Sequence, residues 1–360
     1  MKVGSGLVQG RRAEAALATQ AVEIAMDEAG HPQPESVLLF LTSEFAADPG
    51  PAITAAARAA RCTQVAGCTA AGVFTEQDWV LDAPAAAALV LGEGAGLGPM
   101  CAEAGACLTF CAPNAVDLNW LTSGTQRFGG VAGDASGQGP YTVWSGGRVR
   151  ADGRVELAVT GARLSLGVSQ GVRPLSRPAA IDRVEGYELL RVGNQPALTS
   201  LVRELPLSSR APERIPTHLL MAGVTFGEQA HALEEGRFRL MPVMAANADA
   251  KSVTVAGDLA PGMALFWAMR QPLAAERDME AMLERLDSET LDAPAFGLMF
   301  PCMGRGPYFY GGQDRDIEAF TRRFPEVPLI GFYGNGEIAR LDGANRLLQY
   351  SVVLGLGYVV

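Results

Sequence analysis

Apolar positions along the chain follow two rhythms. Between residues 12 and 29 they recur at helical spacing. Leu17, Ala21, Ile24 and Ala25 share a stripe with Glu28, Gly30 is a stop, and Pro32 lies beyond it. Residues 276–286 place Met279, Met282, Leu283 and Leu286 at i, i+3, i+4 and i+7, and residues 314–324 put Ile317, Phe320 and Phe324 on one face before Pro325. The Ala-rich stretch 53–61 also reads as helix. Elsewhere short, apolar-rich runs stand at 37–41, 85–92, 219–224, 238–243, 253–255 and 263–269. Runs of that length predict strands, and 85–92, which does not alternate, is expected to be buried on both faces.

Self-comparison shows how these elements are arranged. One unit is Val37–Leu41, a loop, a helix, then Val65-Ala66-Gly67-Cys68-Thr69-Ala70-Ala71-Gly72. A second is Phe296–Phe300, a loop, a helix, then Leu329-Ile330-Gly331-Phe332-Tyr333-Gly334-Asn335-Gly336. Both end in G-x4-G. A weaker third copy runs from Leu108-Thr109-Phe110 to Phe128-Gly129-Gly130-Val131-Ala132-Gly133-Asp134. The predicted fold class is α/β, with mixed α+β as the variant: repeated strand–helix–strand units forming two sheet-containing domains flanked by helices. Pro206, Pro212 and Pro216 break a polar stretch, which sets the expected boundary within 205–217 and the domains at 1–210 and 211–360.

Composition narrows the function. The chain has 360 residues, 48% hydrophobic and 19% charged, which excludes disorder and a coiled coil. A net charge of -10 would be repelled by a phosphate backbone, so no nucleic-acid partner is expected. The longest apolar runs, 83–92 and 351–360, are half the roughly 20 residues a membrane span needs. No membrane association is expected, and no signal peptide is visible. The expected location is the cytoplasm, with reduced cysteines. The cysteines at 62, 68, 101, 107, 111 and 302 form no C-x-x-C pair and lie far from His31, His218 and His231, so no metal site is expected. Neither G-x4-G-K-[ST] nor a helix-opening G-x-G-x-x-G occurs, and no cofactor is expected.

Four loops could carry chemistry. Pro301-Cys302-Met303-Gly304-Arg305-Gly306 sets a thiol three residues from a guanidinium, which could lower the thiol pKa. Gly331–Glu337 could aim Tyr333, Asn335 and Glu337 at one point, with Gly336 permitting the turn. Gly67–Gly72, containing Cys68 and Thr69, could form a backbone N–H nest for an anion. Gly129–Asp134 could present Asp134 to a ligand. Each loop also has a plain reading: a buried small cysteine with a structural arginine pair, or an ordinary turn.

These motifs resemble the FIST family, named for F-box and intracellular signal transduction. Phe300–Gly306 is similar to its F-x-C-x-x-R-G loop, and Pro328–Ile338 to its P-x-x-G-F-x-x-x-G-E-[IL] segment. Gly67–Gly72 is similar to its G-C-[ST]-x-x-G turn; Gly129-Gly130 with Asp134 and the stretch 166–174 also fit. The resemblance runs over roughly residues 10 to 355 and implies paired N- and C-terminal FIST domains acting as a sensory module for small molecules such as amino acids. With no kinase, methyl-accepting or F-box segment left over, the chain would act alone or with a separate signalling protein. Three positions depart from the family pattern. Val73-Phe74 stand where Glu is usual, Gly334 where Thr is frequent, and Gln349 where His is frequent. The missing acid and imidazole weaken an enzymatic reading more than a binding one.

In the binding reading Arg305 pairs with a ligand carboxylate, Glu337 and Asp134 hold an ammonium, and the Cys302 and Glu337 bends line one hollow. In the alternative, Cys302 is a nucleophile, for which no base is visible. A third reading makes Tyr308, Phe309 and Tyr310 an interaction surface for another protein.

Overall fold

The computed structural model of the chain describes residues 2–100, 105–227 and 231–359. Cys101 lies outside them. Contacts divide the chain into two compact units: residues 1–169, 279–340 and 344–360, and residues 170–278 with 341–343. The boundary expected within 205–217 falls inside the second unit.

The first unit is built from three copies of one motif. The first copy runs β1 (Lys2–Gln9), α1 (Ala15–Ala29), β2 (Ser36–Thr42), α2 (Gly50–Ala60), β3 (Val65–Ala70), β4 (Gly72–Thr75), β5 (Trp79–Leu81) and β6 (Ala85–Gly92). The second is β7 (Gly96–Gly98), β8 (Cys107–Cys111), α3 (Leu118–Thr122), β9 (Arg127–Val131), β10 (Val143–Ser145), β11 (Arg148–Val149) and β12 (Arg154–Thr160). The third opens with β13 (Ala162–Ser169) and is then interrupted by the second unit.

That unit holds β14 (Val172–Pro174), β15 (Ala179–Glu185), β16 (Glu188–Val192), β17 (Gln195–Pro196), α4 (Ala197–Glu204), β18 (Leu220–Thr225), β19 (Phe238–Asn247), β20 (Ser252–Val255) and β21 (Ala264–Arg270). Its strands β21-β15-β16-β20-β19-β18 pair in that order, and β18 returns to β21, closing an antiparallel barrel. Inside the unit, Trp267 donates its indole N–H to Ser200 on α4 at 3.0 Å, giving a buried polar group the partner it needs.

The third copy then continues with α5 (Pro272–Ser288), β22 (Phe296–Pro301), α6 (Pro307–Tyr310), α7 (Arg315–Arg323), β23 (Leu329–Tyr333), β24 (Glu337–Leu341), β25 (Ala344–Leu348) and β26 (Val352–Val359).

The three sheets of the first unit share one strand plan. Their orders are β1-β6-β2-β3-β10-β11, β7-β12-β8-β9-β24-β25 and β13-β26-β22-β23-β4-β5. In each, a parallel pair (β2/β3, β8/β9, β22/β23) sits at the centre. The hairpin that follows each pair leaves its own sheet and completes another, so the three copies interlock in a cycle. The weak third repeat seen in the sequence is therefore a full copy.

Equivalent residues show why the copies fit together. Phe40, Phe110 and Phe300 sit one position past Leu39, Thr109 and Met299, and their rings meet with centroids 5.3, 5.8 and 6.3 Å apart. Opposite the preceding residues lie Gly67, Gly129 and Gly331. A Cβ there would stand 1.7, 1.9 and 2.1 Å from the carbonyl oxygens of Leu39, Thr109 and Met299. Only glycine lets the strands approach that closely.

The helices behave as their periodicity predicts, with one shift. α1 buries Leu17, Ala18, Ala21, Val22 and Ala25, while Ile24 is 41% exposed. The helix lies so close to Gly4 and Gly6 of β1 that a Cβ on either would touch the Ala25 or Ala21 carbonyl. Alanines and Val22 are buried there, while Ile24, whose Cβ also borders Gly6, turns the rest of its side chain toward solvent. Met279, Met282, Leu283, Leu286, Ile317, Phe320 and Phe324 are all buried in one core.

Candidate functional site

Each copy has a corner where its first central strand ends. There the chain enters a 3-10 turn: Ser43–Phe45, Pro113–Ala115 or Met303–Arg305. The entering residues are Thr42, Ala112 and Cys302. The crossing hairpins bring up Val73, Val143 and Glu337, which pair with the equivalent positions Phe332, Cys68 and Gly130. The last strands supply Ala85, Gly153 and Ser351; Ala112 and Cys302 each donate their amide to that residue's carbonyl at 2.9 Å. Two corners are apolar apart from one threonine. The third gathers a thiol, a carboxyl and a hydroxyl.

The loops that form the third corner are joined through their backbones. Met303 N–H donates to Gly334 O, Gly334 N–H to Pro301 O, Asn335 N–H to Val131 O, Val131 N–H to Gly336 O, Ala71 N–H to Tyr333 O and Gly133 N–H to Thr69 O. All four loops singled out in the sequence thus meet in one region. Met303 and Asn335 are exposed there, whereas Cys302 is 7% exposed and Glu337 fully buried.

Glu337 is the unusual group. Its Oε2 accepts from the Ser351 amide at 3.2 Å and the Ser351 hydroxyl at 2.5 Å. Its Oε1 has no hydrogen-bond partner. Burial pushes the carboxyl well up from its usual range, and the Ser351 and Cys302 hydrogen bonds and the Arg305 charge pull it only partly back. Burial also pushes the Cys302 thiol up, and the Glu337 charge adds to this. Amides of Tyr350 and Gly304 oppose it.

Arg305 is 1% exposed and already paired. Its guanidinium grips Asp316 through Nη2 at 2.9 Å and Nε at 3.1 Å, and Nη1 donates to Ser169 O at 3.0 Å. Tyr310 donates to the same Asp316 at 3.0 Å. The sequence expectation of an open guanidinium for a ligand carboxylate is corrected: the arginine ties α7 to the Cys302 loop and reaches Glu337 only as a nearby positive charge. Asp314, beside it, caps α7 by accepting from the Asp316 and Ile317 amides, and it accepts the Tyr333 hydroxyl at 2.6 Å. Burial and the Asp316 charge push Asp314 up to about 7. Tyr333 is thus a core anchor. Gly306 is small because the Tyr333 ring lies 3.0 Å from where its Cβ would be.

The two N-terminal loops carry less chemistry than expected. Gly67–Ala70 is strand, not a nest: the Thr69 amide donates to Thr142 O, and Cys68 is buried, its thiol pushed up by burial. Asp134 is buried and turned inward on its own loop, accepting from Ser136, Gly137 and Gly139. Desolvation raises its pKa, but those bonds outweigh it and hold the carboxyl low. The sequence reading missed Ser351, Asp314 and Asp316 as members of this region. The Asp314 N-cap position ahead of a helical pattern was the signal for one of them.

Among the described residues no three His, Cys, Asp or Glu side chains gather as a metal cluster, and no helix is long and apolar enough to cross a membrane.

The FIST N domain matches residues 35–195 and the FIST C domain residues 197–340. An uncharacterized protein of Mycobacterium tuberculosis is 27% identical over 240 residues, 66% of this chain and 62% of that protein. One from Mycobacterium bovis is 27% identical over 234 residues, 65% and 60% of the two chains. The match thus spans about three fifths of those relatives' length. Human F-box only protein 22 is 34% identical over 88 residues, 24% of this chain and 21% of that protein. FIST domains are associated with sensing in signal transduction.

Proposed function

The chain belongs to the FIST family, and from that premise we propose that it is a small-molecule sensing module whose ligand docks at the Cys302–Glu337–Ser351 corner. The ligand is a small charged metabolite, an amino acid foremost. The protein acts in the cytoplasm and passes its signal to a separate protein. One observation supports this reading above the rest: a buried carboxyl oxygen without a partner, beside a thiol, where four loops converge. A buried polar atom left unpaired costs about 1–3 kcal/mol, and a ligand that pairs with it recovers that cost. Met303 and Asn335, in the same two loops, are exposed. Thermal unfolding with a panel of amino acids and small carboxylates tests the reading. A ligand at 100 times its Kd adds about 2.7 kcal/mol, and the gain should vanish in Glu337→Leu. A folded protein that no panel member stabilises would refute it.

The contact between Cys302 and Glu337 favours a second reading, thiol chemistry with Glu337 as base. Burial opposes it by holding the thiol protonated. Alkylation of Cys302 faster than a free thiol would revive it. Of the aromatic cluster read as a surface for another protein, Tyr308 is exposed and hydrogen-bonded to Asp82, whereas Tyr310 is tied inward to Arg305 and Asp316.

A further inference from the structure

We infer that Glu337 stands in its corner as a neutral acid with the proton on Oε1, so that it meets a ligand through an oxygen acceptor, a carbonyl or carboxylate, and not through an ammonium group. This rests on the reading of the corner as the ligand site, and it reverses the role the sequence suggested for Glu337.

The hydrogen-bond pattern is one-sided. Oε2 receives two donors from Ser351 and Oε1 has no hydrogen-bond partner, while the Cys302 thiol beside the carboxyl is a further donor that offsets burial only in part. An ionised carboxylate spreads its charge over both oxygens and needs donors at both. A carboxylic acid has one acceptor-rich carbonyl oxygen and one O–H that seeks an acceptor. The carbonyl role fits Oε2, and the hydroxyl role fits Oε1.

The charge pattern agrees. Among the described residues no lysine or arginine forms an ion pair with Glu337; the guanidinium of Arg305 is engaged by Asp316. The titratable groups acting on Glu337 from neighbouring elements are Cys302 on the strand-end turn and Arg305 beyond it. A fully buried carboxylate without an ion-pair partner is far costlier than the neutral acid. The upward shift of Glu337 points the same way. For an amino acid, the carboxylate end therefore enters first.

Infrared difference spectra of the intact chain decide the protonation without any ligand. Wild type minus Glu337→Gln at neutral pH should show the carbonyl stretch of one protonated acid. Only carboxylate bands in that difference would overturn the inference. Thermal unfolding with propionate and with propylamine decides the polarity. Propionate should stabilise wild type and Glu337→Gln, whose amide N–H2 replaces the O–H, and fail with Glu337→Leu. Stabilisation by propylamine that Glu337→Gln loses would overturn the inference. If neither probe acts, the sensing reading fails at this corner, and the infrared band still decides the protonation of Glu337.

Discussion

The first and third corners of the triplicated unit have the same backbone plan and opposite chemistry. In one, Thr42 meets Ala85, whose amide the threonine hydroxyl accepts at 3.0 Å, and Val73 takes the position equivalent to Glu337. In the other, Cys302 meets Glu337 and Ser351, and a carboxyl oxygen is left bare. The second corner, with Ala112, Val143 and Gly153, resembles the first. A small apolar filling therefore closes this geometry. The polar trio of the third corner is not needed to close it and carries a desolvation cost. Local cost without local structural need is the physical mark of a site kept for its chemistry.

The comparison can be broken or sharpened by experiment. The largest effect is expected from Arg305→Ala, which strands the buried Asp316 carboxylate. Loss of one partner of such a pair costs about 3–5 kcal/mol, read as a shift in urea midpoint. A variant as stable as wild type would show that the third corner does not depend on this tie. Next come Gly67→Ala, Gly129→Ala and Gly331→Ala. Each drives a Cβ into a carbonyl oxygen and should cost at least the 1–3 kcal/mol typical of overpacking, roughly. Similar penalties at all three would confirm that the copies are energetically alike. A penalty at one alone would break the threefold picture.

A smaller effect concerns pH. Glu337 and Asp314 have folded-state pKa values raised above their unfolded ones. Above the unfolded values, the folded protein binds more protons than the unfolded chain, so stability falls as pH rises from the ordinary carboxylate range toward and through about 7 for Asp314. Glu337→Gln should flatten part of that slope in denaturation curves taken across the range. An unchanged slope would mean that Glu337 titrates normally. The smallest effect is expected from Glu337→Val with Ser351→Ala, which rebuilds the third corner on the plan of the first. Replacing both partners by apolar groups is nearly neutral or stabilising, so the double variant should lie within about 1 kcal/mol of wild type or above it. A loss of several kcal/mol would make the polar trio structural.

Much of the frame was legible in the sequence because it rests on short-range pattern. The unbroken run 85–92 reads as a strand buried on both faces, and Met279, Met282, Leu283 and Leu286 read as one helical face. The G-x4-G endings exposed two copies and hinted at the third. The cyclic exchange of hairpins was not legible: no local pattern tells β4 to pair with β23 rather than with a strand of its own copy. Nor could spacing show that Arg305 is engaged by Asp316, eleven residues on, because the partner is fixed by the packing of α7. Asp134 was misread for a related reason, since an Asp that caps its own loop and one that faces a ligand have the same sequence neighbours. Cys302 and Glu337 were paired in the sequence reading through the two glycine loops, and Ser351 emerged only once β26 lay beside β22.

The central claim, that one corner of three takes the ligand, is tested most directly by hydrogen exchange with and without the most stabilising member of the metabolite panel. The account predicts new protection in residues 302–306, 333–337 and 350–352, and none in the equivalent segments 42–46 and 112–116. Protection shared among the three corners, or confined to segments away from Cys302 and Glu337, would contradict it.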